Sequence, residues 1–399
     1  MTETVALRDV VEIQTGTISP STRPLESFEY VDVAAVNNVT KVIDGVRTLL
    51  GAHAPSRARK LVRTGDVIVS TVRPNLNAVA LVPEELDGQV ASTGFCVLRA
   101  TRRILSEYLF YYVRSHLFVE SLTKLVSGAM YPAVSDSQVL NQLVPLPCLH
   151  EQRRIVNLLS RSERIVSLRR AAQKKASAVM SALFYDFFGD PGTNPKNWNM
   201  ATIGDVIASA DYGCNAKASE MGAGIPIIRM GNVRSDGELA LDDLKYVVLS
   251  TKDAERYGLR GGDILFNRTN SKELVGKTGL WEEGVIDAIV ASYFIRVRVN
   301  KEILAPSFLW AYMNTAYMKR TLFETARGAI GQANINSKEL RAFRIPVPPI
   351  GLQNIFASCC REMNETKALQ VAAEAKSEAI FCSMLARTFH SNSERLASK

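Results

Sequence analysis

Histidine is scarce here: His53, His116, His150 and His390 are all that 399 residues contain, and they lie far apart. No motif places a nucleophile and a base together. The six cysteines (Cys96, Cys148, Cys214, Cys359, Cys360, Cys382) include no C-x-x-C pair, so a zinc site is unsupported and reduced, mostly buried thiols are expected. No G-x-x-x-x-G-K-[ST] loop is present, which excludes ATP-motor activity at the motif level. Gly222-Ala223-Gly224 is an isolated G-x-G and reads as a turn. The longest apolar runs, such as Leu109–Val113, fall far short of the ~18 residues of a membrane span. The opening Met1-Thr2-Glu3-Thr4 has no apolar signal region. A cytoplasmic protein with no metal, no catalytic residues and no membrane contact is expected.

What is present is an ordinary globular balance, 47% hydrophobic and 22% charged, in a length that suits two or three domains. Net charge is +8, which invites a nucleic-acid partner. The excess is local: residues 1–150 carry 14 basic and 14 acidic side chains, whereas residues 151–180 carry 8 and 2.

The chain also repeats itself at about 200 residues. Gly65-Asp66-Val67-Ile68-Val69 returns as Gly262-Asp263-Ile264-Leu265-Phe266, and Tyr108-Leu109-Phe110-Tyr111-Tyr112 as Phe308-Leu309-Trp310-Ala311-Tyr312. Gly128 and Gly328, Ser137 and Ser337, and Leu140 and Leu340 keep one offset; Pro145-Leu146-Pro147 and Gln152 return as Pro346-Val347-Pro348 and Gln353. Each copy reads as mixed α+β. Short strands are expected at 30–36, 67–72 and 96–98, then at 225–228, 246–249, 264–266 and 294–299. Helical stretches follow at 106–123 and 307–325, then a glycine loop, a short helix near Ser137 or Ser337, and a proline-rich exit.

Beyond each exit the pattern is one long helix. From Cys148 to Phe188 there is no Gly or Pro, and a 3-4 spacing runs through Ile155, Leu158, Ser162, Ile165, Arg169, Ala172, Ala176, Val179 and Leu183. Phe356, Cys359, Met363, Thr366, Gln370, Ala373, Ser377, Ile380 and Met384 repeat it. That is coiled-coil spacing. The expectation is two α+β domains, 1–148 and 189–349 (the second with its linker), separated by spacer helices 149–188 and 350–390, with a tail at 391–399. The helices are expected to form an antiparallel coiled coil and a pseudo-twofold molecule; the alternative is that each helix only covers its own domain.

The chain resembles, over nearly its whole length, the specificity (S) subunit of type I restriction-modification systems. The resemblance rests on Gly262–Asn270 (GDILFNRTN) with Val275-Gly276, the exit Ile345-Pro346-Val347-Pro348-Pro349, Leu149-His150-Glu151-Gln152-Arg153-Arg154-Ile155, and the junction Phe187-Phe188-Gly189-Asp190-Pro191 leading to Asn194-Pro195-Lys196-Asn197-Trp198. It implies two target-recognition domains reading an asymmetric, bipartite double-stranded DNA site, and spacer helices that set half-site spacing and dock two methyltransferase subunits. Two restriction-translocase subunits join where the system also cuts. S-adenosylmethionine, ATP and Mg then belong to those partners, which methylate adenine at N6 and cleave unmodified DNA; the S subunit itself is not catalytic. Consistently, Asp190-Pro191-Gly192 and Asn194-Pro195-Lys196 lack the second proline and aromatic of an adenine-methyltransferase motif. Copy one departs from the family pattern, with Ser70-Thr71-Val72-Arg73-Pro74-Asn75 after its Gly-Asp and no following Val-Gly, which fits a different half-site.

Base edges are matched by Arg to guanine and Asn or Gln to adenine. Candidates are Asn267, Arg268, Asn270 and Lys272 leaving a strand of copy two, with Arg73, Asn75 and Asn77 as counterparts. Arg229, Asn232 and Arg234 form another donor-rich loop. The glycine loops at Ser127-Gly128-Ala129 and at Arg327 to Asn334, which includes Gln332, are suited to close phosphate approach. Any of these can instead serve only to cap turns or pair with acids. The basic helix (Arg153, Arg154, Arg161, Arg164, Arg169, Arg170, Lys174, Lys175) has three readings: phosphate contact, contact with an acidic methyltransferase patch, or a solvated face. A free-standing DNA-binding regulator and an enzyme with an unrecognised site remain the alternative functions.

Overall fold

The computed structural model describes residues 3–12, 16–126, 132–217, 224–284, 286–329 and 332–390. Two compact units divide it: the chain up to Arg170 together with the segment from Ala372 onward, and Ala171–Val371. Each unit therefore contains one repeat and a part of both long helices.

In the first unit, strand Val67–Ser70 lies between Val79–Leu81 and Phe95–Leu98, all antiparallel. A second, mixed sheet has the order Arg47–Leu50, Ser27–Val31, Val90–Ser92, Ala58–Leu61, its middle pair parallel. Glu3–Ala6 pairs with Leu143–Leu146, tying the domain's beginning to its exit. The second unit repeats the plan. Ile264–Asn267 lies between Phe294–Val299 and Thr278–Leu280, Ile225–Ile228 runs parallel to Ile289–Val290, and Asn199–Thr202 pairs with Arg344–Val347. The central strands are buried along their whole length, so both faces are covered.

The repeated motifs prove to be scaffold. In each copy a left-handed glycine (Gly65, φ 82°; Gly262, φ 94°) turns the chain into the central strand. The aspartate after it is buried, accepts the backbone N–H of Arg63 or Arg260, and takes a two-pronged guanidinium: Arg99 at 2.8 and 2.7 Å on Asp66, Arg298 at 2.7 and 3.1 Å on Asp263. Those hydrogen bonds hold both arginines' pKa above the ordinary value. Tyr112 and Tyr312 donate their hydroxyls to the carbonyls of Leu143 and Arg344, both at 2.6 Å.

Three sequence expectations shift. The helical stretches at 106–123 and 307–325 are each two helices, Ser106–Arg114 with His116–Thr123 and Pro306–Met313 with Ala316–Thr325. Ser115 and Thr315 turn extended there, and their hydroxyls cap the second helix at Phe118 and Met318. The strand expected at 30–36 is Ser27–Val31 followed by a 3-10 turn at Val33–Ala35. Of the thiols, Cys96, Cys214 and Cys360 are buried, but Cys148 and Cys382 are exposed.

Two helices run unbroken over Leu149–Phe188 and Ile350–His390. In the first unit Leu159 and Val166 share a core with Phe381, Leu385 and Phe389, and Arg170 grips Glu374 at 2.9 Å and Glu378 at 2.8 Å. In the second, Phe184 and Phe188 pack on Phe308 and Phe356. Their buried rows differ from the sequence pattern by one residue on one side. Leu159 and Val166 are buried where Leu158 and Ile165 were expected, and the latter two are each 49% exposed. In the second helix Cys360 and Phe381 are buried, whereas Ile380 is exposed. The true row of the second helix continues through Lys367 and Glu374, which find Glu238 and Arg170. A pattern that rejects charge at the contact line slides onto the neighbouring apolar residues.

Gln152 and Gln353, both fully buried, bind each helix start to its domain. Gln152 accepts from Leu105 N and donates to Arg103 and Pro147 carbonyls. Gln353 does the same with Ala305, Ile303 and Pro348.

Candidate nucleic-acid interface

In the second unit the chain leaves strand Ile264–Asn267 and forms a short strand, Thr269–Asn270. This strand pairs with Gln332–Asn334, which pairs in turn with Arg327–Ala329. Two candidate segments distant in sequence thus meet in one small sheet. Strand alternation puts Gln332 and Asn334 on the exposed face with Ala333 buried between them. Arg268 lies 4.7 Å from the Tyr212 ring centroid and its Nη2 is 3.4 Å from Asn334 Oδ1. Lys272 is exposed, its ammonium 4.5 Å from the Phe323 ring. Tyr212 donates no signal in sequence beyond being an aromatic ahead of Gly213, and the sequence reading missed it.

Other candidates hold the site up. Asn267 is fully buried and accepts from Asn270 Nδ2 at 3.0 Å, while Asn270 Oδ1 takes the Ser271 N–H. Asn232 is buried too: it accepts from Arg229 N and donates to the Ala240 and Asp243 carbonyls, each at 2.9 Å. All three amides close turns. Arg229 contacts Asp243 at 3.3 Å and Arg234 faces Glu238 at 3.9 Å. Their loop rests on the buried Lys277, which donates to the Met230 and Val233 carbonyls and whose own carbonyl takes the Asn267 N–H at 2.9 Å.

In the first unit Arg73 and Asn75 are exposed. Arg73 is left-handed (φ 49°), its N–H held by the Pro132 carbonyl at 2.8 Å. Asn77 donates to the Val113 carbonyl and receives the Lys41 ammonium, whose pKa is pushed down to about 8 by burial and then by the Arg114 charge. The glycine loop at Ser127-Gly128-Ala129 lies outside the described residues, and the Arg327 side chain is likewise not described.

On the basic helix Arg154 makes a two-pronged pair with Glu151 of its own turn, at 2.8 and 2.7 Å, and Arg170 is committed to Glu374 and Glu378. Arg169 is half-buried. Arg153, Arg161, Arg164 and Lys175 are exposed; the Lys174 side chain is not described. Among the described residues no group of three His, Cys, Asp or Glu side chains could hold a metal ion, and no helix is long and apolar enough to cross a membrane.

The class this defines is a two-copy protein whose copies share a scaffold and differ in the polar loops they display. The family model described as the type I restriction modification DNA specificity domain matches residues 2–176 and 195–362. The chain belongs to that family. Among its relatives are the putative type I restriction enzyme MjaX specificity subunit of Methanocaldococcus jannaschii, 28% identical over 192 residues (46% of this chain, 45% of that one), and the EcoKI specificity subunit of Escherichia coli, 24% identical over 271 residues (64% and 58%). The chain thus spans about half the length of these curated relatives. A solved structure described as the "Structural basis underlying complex assembly and conformational transition of the type I R-M system" is 29% identical, with a TM-score of 0.62 over 97% of both chains. The type I S subunit from M. genitalium, 12% identical with a TM-score of 0.57 over 98% of this chain and 96% of that one, shares the fold.

Proposed function

We propose that the chain is the non-catalytic DNA-specificity subunit of a type I restriction-modification complex, in which each repeat reads one half of an asymmetric, bipartite DNA site. The observation that carries this reading is the contrast between copies. The Gly-Asp turn, its arginine clamp and the helix-start glutamine recur contact for contact, while the loops that follow the central strand diverge. A scaffold kept twice under loops that differ is what reading two unlike half-sites requires.

The long helices form an antiparallel coiled coil that spaces the half-sites and docks two methyltransferase subunits, with restriction-translocase subunits added where the system cuts. The reversed order of their contacts supports this, since Arg170 meets Glu374 and Glu378 while Phe188 meets Phe356. Docking is supported by apolar side chains left on the outside of both helices: Leu158, Ile165 and Val179 on one, Ile355, Leu369 and Ile380 on the other. S-adenosylmethionine, ATP and Mg are bound by the partners, and the assembly works in the cytoplasm.

A modified-base map of the host genome, with and without this gene, tests the reading. Loss of N6-methyladenine from one split motif on deletion is the expected result. Unchanged methylation, combined with sequence-selective binding by the chain alone, would establish the free-standing regulator instead.

A further inference from the structure

We infer that Arg268, braced by the face of Tyr212 and by Asn334, is the residue of the second repeat that selects a guanine, and that Tyr212 is its positioning residue. The inference rests on the DNA-reading role proposed above and names the base that one side chain reads.

Arginine reads guanine by presenting two N–H groups to O6 and N7 in one plane. A flexible side chain does this well only if its plane is fixed beforehand. Three contacts fix it here. The guanidinium carbon stands 4.7 Å from the Tyr212 ring centroid, within cation–π range. The ring is itself anchored, because its hydroxyl accepts the backbone N–H of Ser337 at 3.2 Å. Nη2 reaches Asn334 Oδ1 at 3.4 Å, a long bond that a base acceptor can replace.

The enclosed nitrogen settles which edge is used. Nε is buried with no hydrogen-bond partner, so the terminal Nη edge remains to meet a base. Enclosing Nε without a partner works against stability; on Arg268 it coincides with a ring brace in a cluster that faces solvent. Tyr212 is 46% exposed and Asn334 is exposed, so the cluster is open to a duplex. Asn334 spends its carbonyl on Arg268 and keeps its amide donors for the same or the next base.

Arg229 and Arg296 also enclose an unpartnered Nε, but each of them is paired with a carboxylate. Arg229 and Arg234 face Asp243 and Glu238, while Arg296 and Arg298 are built into the scaffold through Asp211 and Asp263. The Arg73 region of the first repeat supplies an internal control, since its half-site is read by different residues.

The test uses the full chain with its co-purified methyltransferase and selects bound duplexes from a random-sequence library. Wild type is expected to yield a two-part motif with a guanine in the half belonging to the second repeat. Arg268→Ala should lower discrimination at that one position by about 5- to 150-fold and leave the first half-motif intact. Arg268→Lys, which keeps the charge and loses the planar fork, should relax the same position. Tyr212→Leu should do so in part, and Tyr212→Phe, which keeps the ring, much less. An intact first half-motif shows that each variant is folded and assembled. If the variants relax no position, or all positions equally, the assignment is overturned while the DNA-reading role stands. If wild type selects no motif, that role falls and this assignment with it.

Discussion

The side-chain amide of Gln353 satisfies three backbone groups at once, the Ala305 N–H and the Ile303 and Pro348 carbonyls, in a fully buried position. Alanine there leaves all three without a partner, each at a cost of about 1–3 kcal/mol. Gln353→Ala is expected to destabilise the second unit by about 3 kcal/mol or more in urea unfolding; an effect under 1 kcal/mol would show that water replaces the amide. Gln152→Ala should act equally on the first unit. The duplication pointed to this pair, because identity at matching places marks what both copies need. It could not point to Tyr212, whose role arises from a contact across 56 residues of sequence.

Lys319 carries a pH signature. Burial, and then the neighbouring Lys277 charge, lowers its pKa from 10.5 to about 8. A lysine with a depressed folded pKa binds fewer protons when folded than when unfolded, so stability rises with pH between about 8 and 10.5, and the full penalty applies below about 8. Lys319→Met should therefore stabilise the chain at pH 7 by up to about 3 kcal/mol. That gain should vanish above pH 10.5. The Gly276 carbonyl is not orphaned by the change, since Thr278 Oγ1 donates to it at 3.0 Å. A gain independent of pH would assign the effect to packing instead.

At the scale of elements, the boundaries that proline, glycine and capping residues announce were legible, and contact faces were less so. Strands 225–228 and 294–299 stand where their apolar runs put them. The 106–123 stretch has no helix breaker, and its division at Ser115 depends on one hydroxyl choosing a cap over a helical turn. The contact line of the second long helix was displaced because Lys367 and Glu374 lie on it, paired with Glu238 and Arg170. Two neighbouring leucines test the corrected line. Leu159→Ala removes a fully buried side chain and should cost about 2–5 kcal/mol. Leu158→Ala should leave stability within about 0.5 kcal/mol and weaken the proposed methyltransferase docking instead. Equal destabilisation by both would return Leu158 to the core.

For the whole molecule, the same helices belong to both units, and this makes the spacer role open to a length test. Seven residues added to one helix alone would move Arg170 by about 10 Å relative to Glu374 and Glu378, parting a half-buried charge from its partners. An equal heptad in each helix, placed on both sides of the contact line, preserves those pairs and the row of buried residues. The paired insertion should therefore fold, keep both half-motifs unchanged and lengthen only the gap between them, as read by methylation mapping in cells carrying the variant. The single insertion should lose stability and methylation together. If the paired insertion instead alters the bases within either half-motif, the helices contribute to reading the sequence and are more than a spacer.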